Sequence, residues 1–261
     1  MGIKIPAGKL FDIPDVLGKK INDPTDRPQS CEIGIVREHR FAFYFWSHWF
    51  VKKMNTDRNH SPLLITIDWH QDLAPPSDSE RDELNNLNLM NADEVLSFCR
   101  DRMNPYNDGH ILSAAWLGII SDIVVICKQR FRSLDQFRDF AGNTHSIRKF
   151  TGLDTARAEI GKYDRVILDI DLDYFTESES FRGGDPDVRL DPDEEIRSVL
   201  DPDSDFFQSV FKRFLGMTIA TEPGYCGSVE NARHILSILN DQFFDAPLTD
   251  PECNWKHLER K

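Results

Sequence analysis

Asp68, His70 and Asp72 follow the apolar run Leu63-Leu64-Ile65-Thr66-Ile67 at positions i, i+2 and i+4. That run reads as a buried strand. In extended backbone alternate side chains share a side, so two carboxylates and an imidazole converge where the strand ends. Such ligands crowded together repel one another or lie unsatisfied without a cation, and the carboxylate and imidazole mixture suits manganese, iron or zinc. A second stretch has the same design: Val166-Ile167-Leu168 runs into Asp169, Asp171 and Asp173, followed by Tyr174-Phe175. Buried carboxylates need partners, and no Lys or Arg interrupts the segment. The alternatives are a solvated loop in the first case and capping or turn acids in the second. Together the two stretches offer enough ligands for two metal ions, in the crevice where an open α/β sheet binds its ligands.

The surrounding chain supplies the elements that would hold these ends. Residues 1–30 carry several prolines and read as an irregular N-terminal arm. Phe41-Ala42-Phe43-Tyr44-Phe45-Trp46 reads as a buried strand. His48 just after it is a candidate metal ligand; His39 and His60 stand in weaker contexts. Residues 73–91 read as a long polar loop, and Asn91 with Glu94 as a capping signal for a helix through Met103. Asn107-Asp108-Gly109 is a turn, and His110 opens the next helix. Asp122 to Cys127 is a strand, Ser133 with Gln136 starts a helix, and Asp154 to Ile160 is another. Residues 176–190 form a Gly/Asp/Pro-rich loop, and the Asp-Pro pairs at 191 and 201 mark helix starts. Met217 to Thr221 is the last strand, ending in Glu222-Pro223-Gly224-Tyr225, and Ser228 caps a final helix. The alternation predicts an α/β chain, one three-layer α/β/α domain over residues 1–261 with a mostly parallel central sheet and a loose tail at 247–261.

A hydrophobic content of 40% supports a proper core. A net charge of −13 disfavours nucleic acid or an anionic membrane as partner. Five scattered cysteines without a C-x-x-C read as free thiols in a reducing compartment. With no signal-like or bilayer-length apolar run, the expected location is the cytoplasm.

The order His48, Asp68-Trp69-His70-Gln71-Asp72, His110, Asp169-Ile170-Asp171-Leu172-Asp173 and Glu222 resembles the arginase/ureohydrolase pattern over roughly residues 35–240. The Asp-Ile-Asp-Leu-Asp-Tyr-Phe run is closer to the peptide arginases, which convert arginine residues of ribosomally made precursor peptides to ornithine. The chain departs from ordinary arginases in having Phe-Trp-Ser-His-Trp around His48 in place of Gly-Gly-Asp-His-Ser, and Tyr174-Phe175 where an Asp-Pro is expected. The segments that hold the α-amino and α-carboxylate groups of free arginine therefore have no counterpart.

The resemblance implies two manganese ions held by His48, Asp68, His70, Asp72, Asp171 and Asp173, with Asp169 at the family's Ser position; in the other register the ligands are Asp169 and Asp171. It implies Asp72 holding the nucleophilic water, Glu222 binding the guanidinium and His110 as proton shuttle, with an arginine-containing precursor peptide as partner and urea as product. Aromatic residues Trp46, Trp49, Tyr174 and Phe175 and the loops 73–91 and 176–190 are expected to line a peptide groove. The competing readings are an amidohydrolase or ureohydrolase on a small substrate, a phosphatase and a non-catalytic metal-stabilised peptide-binding module. The metallophosphatase reading draws on Gly142-Asn143-Thr144-His145.

Overall fold

The computed structural model describes residues 15–54, 61–130, 133–177 and 187–258. In chain order its elements are β1 (Val16–Asn22), β2 (Ser30–Val36), α1 (Ala42–Met54), β3 (Leu63–Asp68), α2 (Asp78–Asn86), α3 (Ala92–Asp101), α4 (His110–Trp116), β4 (Ile123–Cys127), β5 (Gln136–Arg138), β6 (Thr144–Phe150), α5 (Leu153–Ile160), β7 (Val166–Asp171), β8 (Thr176–Glu177), β9 (Arg189–Leu190), α6 (Asp193–Val199), α7 (Asp205–Phe211), β10 (Phe214–Ala220) and α8 (Val229–Phe243). Eight strands form one sheet in the order β1-β2-β10-β7-β3-β4-β6-β5. The six inner strands are parallel, and the two edge strands, β1 and β5, are antiparallel to their neighbours.

The strand residues divide by the two-residue period. Leu63, Ile65 and Ile67 of β3 and Val166, Leu168 and Ile170 of β7 join the core under α5 to α8. Leu64 and Ile167 join the core under α1 to α4. This is the expected three-layer α/β/α arrangement. The same period sends Thr66, Asp68, Asp169 and Asp171 to the α1–α4 side. Polar residues inside two strands thus meet the layer that carries His39 and His110.

Phe41 to Trp46, expected as a strand, instead forms a 3-10 turn (His39–Phe41) leading into α1. Its aromatic residues have high β propensity, but burial decides. Tyr44 and His48 are only half-buried while Phe43, Phe45, Trp46 and Trp49 are buried, which is helical spacing. The helix lies close on the sheet. A Cβ on Gly34 of β2 would strike the Phe45 ring, and one on Gly216 of β10 would come 2.8 Å from Trp49. Each fully buried aromatic of this kind contributes about 1.5–3 kcal/mol, so Gly34→Val would break the packing that fixes α1.

Other expectations change in the same way. Residues 16–22 are a sheet strand. Residues 73–91 contain α2, started by a capping box in which Ser77 Oγ accepts from the Glu80 N–H and Glu80 accepts from the Ser77 N–H. That reciprocal pair satisfies two donors left open at the helix start. The expected helix start at Ser133 is followed by strand β5, which pairs with β6. The tail is anchored: Trp255 is fully buried and its Nε1–H donates to the Asn22 carbonyl at 2.8 Å. Within 176–190, the described ends pair as β8 and β9; the rest of that stretch, and His60, lie outside the described residues. No helix among the described residues is long and apolar enough to cross a membrane.

Candidate metal centre

From β3 the chain proceeds outward to β4 and β6, then returns to β7 and β10 on the other side of β3. Connections leaving two adjacent parallel strands in opposite directions open a crevice at their C-terminal ends. Asp68 is the last residue of β3 and Asp171 the last of β7, and the register sets Thr66 beside Asp169 and Ile67 beside Ile170. The two acidic strand ends are therefore adjacent. Glu222 follows β10, and its backbone N–H donates to the Arg37 carbonyl after β2, which brings the next turn, with His39, to the same edge. His110 enters from the first turn of α4.

In Asp68, Asp171, Asp173 and Glu222 one oxygen is fixed by a backbone N–H. Asp68 Oδ1 accepts from the His70 N–H at 2.6 Å, Asp171 Oδ1 from the Asp173 N–H at 2.9 Å, and Asp173 Oδ1 from the Trp69 N–H at 3.1 Å. Glu222 Oε1 accepts from the His39 N–H at 2.9 Å and from Asn107 Nδ2 at 2.5 Å. The second oxygens face the imidazoles. His39 Nδ1 lies 3.4 Å from Asp68 Oδ2 and 3.1 Å from both Asp72 Oδ2 and Asp171 Oδ2. His70 Nδ1 lies 2.9 Å from Asp173 Oδ2 and 3.6 Å from Asp68 Oδ1.

Asp169 has a different environment. Its carboxylate accepts from the hydroxyls of Thr66 (2.9 Å) and Thr218 (2.5 Å) and holds His39 Nε2 at 2.7 Å. Trp46 Nε1–H in turn donates to Thr218 Oγ1 at 3.1 Å. With Nε2–H given to Asp169, the His39 atom facing the other acids is Nδ1, which would offer its lone pair to a bound cation, the arrangement by which an outer carboxylate orients a metal-binding histidine.

His48 is elsewhere. The helix carries it nine residues beyond His39, roughly 13 Å along the axis at about 1.5 Å per residue. There its ring stacks on Tyr44, and burial and the charge of Lys52 hold it below its ordinary pKa. It is in none of the close groups of potential ligands found among the described residues; those comprise His39, Asp68, His70, Asp72, His110, Asp169, Asp171, Asp173 and Glu222. His145 is likewise outside them, bonded to the Ser121 carbonyl. The expected groove aromatics Trp46, Trp49, Tyr174 and Phe175 are all buried core residues. Two residues at the centre were missed by sequence reasoning: His39, which had only its weak context three residues after the end of β2 to mark it, and Asn107, which read as part of a turn.

The electrostatics ask for added positive charge. Burial pushes the carboxyls of Asp72, Asp171, Asp173 and Glu222 above their ordinary range, and neighbouring acids add to it. Burial alone would lower the two site imidazoles, but Asp169 and Asp171 hold His39 well above its usual value, and Asp173 and Asp68 push His70 up to about 12. Burial also opposes ionisation of Asp68, yet His39 and His70 outweigh it and hold that carboxyl low. His110 goes the other way: burial and the charge of His39 keep it neutral. Its Nδ1 bonds the Asn107 carbonyl at 3.0 Å. That contact fixes the tautomer, so Nε2 carries the lone pair.

Four buried ligand-type atoms of this cluster have no hydrogen-bond partner: His39 Nδ1, Asp68 Oδ2, Asp173 Oδ2 and His110 Nε2. Buried polar atoms are rarely left so, and a set of carboxylate oxygens and imidazole nitrogens left unpaired together fits divalent cations. Backbone strain is concentrated here as well. Asp72, Asn107 and Glu222 have φ of 49°, 61° and 28°. That region is uncommon for residues other than glycine and often found at functional sites.

No family model matches the chain, and no curated protein sequence does. Among solved structures the chain is similar to a proclavaminate amidino hydrolase from Streptomyces clavuligerus, at 15% identity and a TM-score of 0.44, over 80% of this chain. The likeness spans 62% of that enzyme's chain, less than two thirds of its length.

Proposed function

We propose that the protein is a guanidino hydrolase with two manganese ions, converting arginine residues of a precursor peptide to ornithine with release of urea. The observation that carries the proposal is the convergence of unpartnered donors from β3, β7 and the His39 turn, with Glu222 and His110 beside them. His39, Asp68, Asp72 and Asp171 would hold one ion, since His39 Nδ1 faces those three carboxylates. His70 and Asp173, with Asp68, would hold the other. This set favours the register in which Asp171 and Asp173 are ligands and Asp169 orients His39. Oxygen-rich ligation favours manganese, and bound divalent ions would lower the pKa of water to generate the nucleophile.

The chain's own groups complete the reaction. Burial and Asp171 hold the Glu222 carboxyl high, so it would ionise only as cationic charge enters the site; the carboxylate then seats the guanidinium by a charge-assisted contact. Neutral His110, with Nε2 as acceptor, takes a proton from the attacking water and returns it to the leaving nitrogen. The water oxygen joins the guanidinium carbon, the bond from that carbon to Nε breaks, and both water hydrogens end on the departing amine. Asp72, held at positive φ within reach of His39, orients the water.

A peptide substrate is favoured by the Asp169–Phe175 signature and the acidic charge; the aromatics expected in a groove serve the core instead. Tyr106, 75% exposed and adjacent to Asn107, and Tyr225, half-buried with its ring edge-on to His70, are aromatic residues near this edge that a peptide could meet. The five cysteines are free and buried, which fits a cytoplasmic location.

Mass spectrometry of an arginine-containing peptide incubated with the manganese-loaded protein tests the proposal. Loss of CH2N2 per converted residue, with urea in step, is expected. Urea from free arginine with the peptide untouched would move the substrate to the free amino acid. Metal binding without any urea would favour the peptide-binding module, and phosphate release a phosphatase. His110→Asn should keep the metal and slow turnover by about 10²–10⁴, and Glu222→Gln should mainly weaken substrate binding.

A further inference from the structure

Asn107 joins two groups of the site and keeps one atom unused. Its backbone carbonyl bonds His110 Nδ1 at 3.0 Å, and its Nδ2 donates to Glu222 Oε1 at 2.5 Å. Its side chain is nine-tenths buried, and its Oδ1 has no hydrogen-bond partner. An amide beside a carboxylate turns its NH2 group toward the oxygen, so the orientation follows from the Glu222 contact. What remains is a buried amide acceptor fixed next to an acid that already spends one oxygen on two donors. Burying an acceptor without a partner is costly, and such an atom in a native fold calls for an explanation.

We propose that Asn107 contacts the substrate, its Oδ1 accepting a guanidinium N–H beside Glu222, so that amide and carboxylate form a two-acceptor seat for the cation. The inference rests on the guanidino-hydrolase reading and adds a residue to it. A guanidinium presents five N–H donors in one plane, more than a single carboxylate can satisfy. Every donor left dry in a closed site weakens binding, so a second acceptor rigidly coupled to Glu222 is chemically apt. The φ of 61° at Asn107 adds a reason for this residue type. Asn tolerates the left-handed region and still carries an acceptor, which Gly does not.

The test compares Asn107→Gly and Asn107→Asp in the manganese-loaded full chain. Guanidinium ion binding is read by calorimetry, kcat and KM with N-acetyl-arginine amide, and metal content by elemental analysis. At unchanged metal content, N107G should weaken guanidinium binding about ten- to hundredfold, with KM raised. N107D keeps an acceptor and should lie closer to the wild type. A purely structural role gives the reverse order: Gly suits the backbone best, while Asp sets a second carboxylate against Glu222. If N107G does not fold, N107S, whose shorter side chain withdraws the acceptor, takes its place. Wild-type affinity in N107G or N107S, or the reversed order, overturns the inference while leaving the guanidino reading intact. A wild-type protein that binds guanidinium at no measurable level and releases no urea overturns both.

Discussion

Asp23 and Asp173 are hidden from solvent to the same degree, 1% and 2% exposed, yet the chain treats them in opposite ways. Asp23 sits in the β1–β2 hairpin, where donors within six residues fill its oxygens: the Thr25 N–H and hydroxyl, Gln29 Nε2 and the Arg27 guanidinium, whose Nη2 lies 2.8 Å away. Burial pushes this carboxyl up, but those donors outweigh it and hold it below the ordinary carboxylate range. Asp173 has one backbone donor, and its outer oxygen faces the His70 imidazole at 2.9 Å; burial with the nearby Asp68 charge outweighs that partner and leaves its carboxyl raised. Burial of an acid is thus not in itself a sign of chemistry. The sign is burial that the neighbouring sequence does not compensate.

The largest test of this contrast separates two histidines on one helical segment. His39→Ala removes the ring that faces three carboxylates and should strip metal from the protein and lower urea production by more than about a hundredfold, beyond what loss of an outer partner costs. His48→Ala should leave both unchanged within about twofold, since a half-exposed ring away from the site is a mild loss. Metal analysis of the two variants decides; a metal-depleted His48→Ala protein beside an intact His39→Ala protein would return the site to the sequence-based assignment.

The metal-free and loaded proteins should also differ in the sign of their pH dependence. Without ions, Asp72, Asp171, Asp173, Glu222, His39 and His70 hold protons in the folded state at a pH where the unfolded chain has released them. Groups with raised folded pKa give stability that is lost as pH rises, at about 1.4 kcal/mol per unit for each net proton. Asp68, held low, opposes this only in strong acid. His110, kept neutral in the fold, opposes it below about pH 6.5 by favouring the unfolded chain. Chelated protein should therefore melt lower at about pH 8 than at about pH 6, and loaded protein the reverse, because ions and protons compete for the same atoms. A chelated protein that gains stability on going to the higher pH contradicts the assignment.

Much of this was legible in the sequence, and the part that was not has a physical cause. Strands β3 and β7, their acids, the His110 helix start and the Ser228 cap rest on short-range signals: period two, a cap, a turn. His39 and Asn107 do not. His39 matters because β2 and β10 pair and because Asp169 lies across the sheet between Thr66 and Thr218, contacts of 103 and 49 residues' separation on the Asp169 side. The run from Phe41 to Trp46 misled because aromatic residues favour strands locally, while a helix packed against glycines on β2 and β10 buries them better.

Asp169 gives a smaller effect that sharpens the same distinction. It is buried and satisfied like Asp23, but one of its partners belongs to the site. Asp169→Asn keeps a hydrogen bond to His39 while removing the charge, and should weaken metal binding about 10–100-fold without loss of the ligands themselves. A competition titration against a chelator measures it; unchanged affinity would make the Asp169–His39 contact a packing feature only.

The smallest expected effect belongs to Asp23, and it is a pure stability effect. Asp23→Asn keeps the side-chain shape but sets an NH2 group against donors that required an acceptor, and it discharges the partner of Arg27. The cost should be about 1.5–3 kcal/mol at neutral pH, the range for hydrogen bonds to a charged group. The sign with pH follows from the lowered pKa: the stabilisation is complete above the unfolded value near 3.9 and is lost as pH falls through the folded one. Urea denaturation of wild type and variant should therefore show a gap at neutral pH that closes in acid, with metal content and urea production equal in the two proteins. A variant as stable as the wild type at neutral pH would mean that the hairpin's donors only offset the burial of Asp23. A variant that lost metal would break the separation between the satisfied acid and the unsatisfied ones.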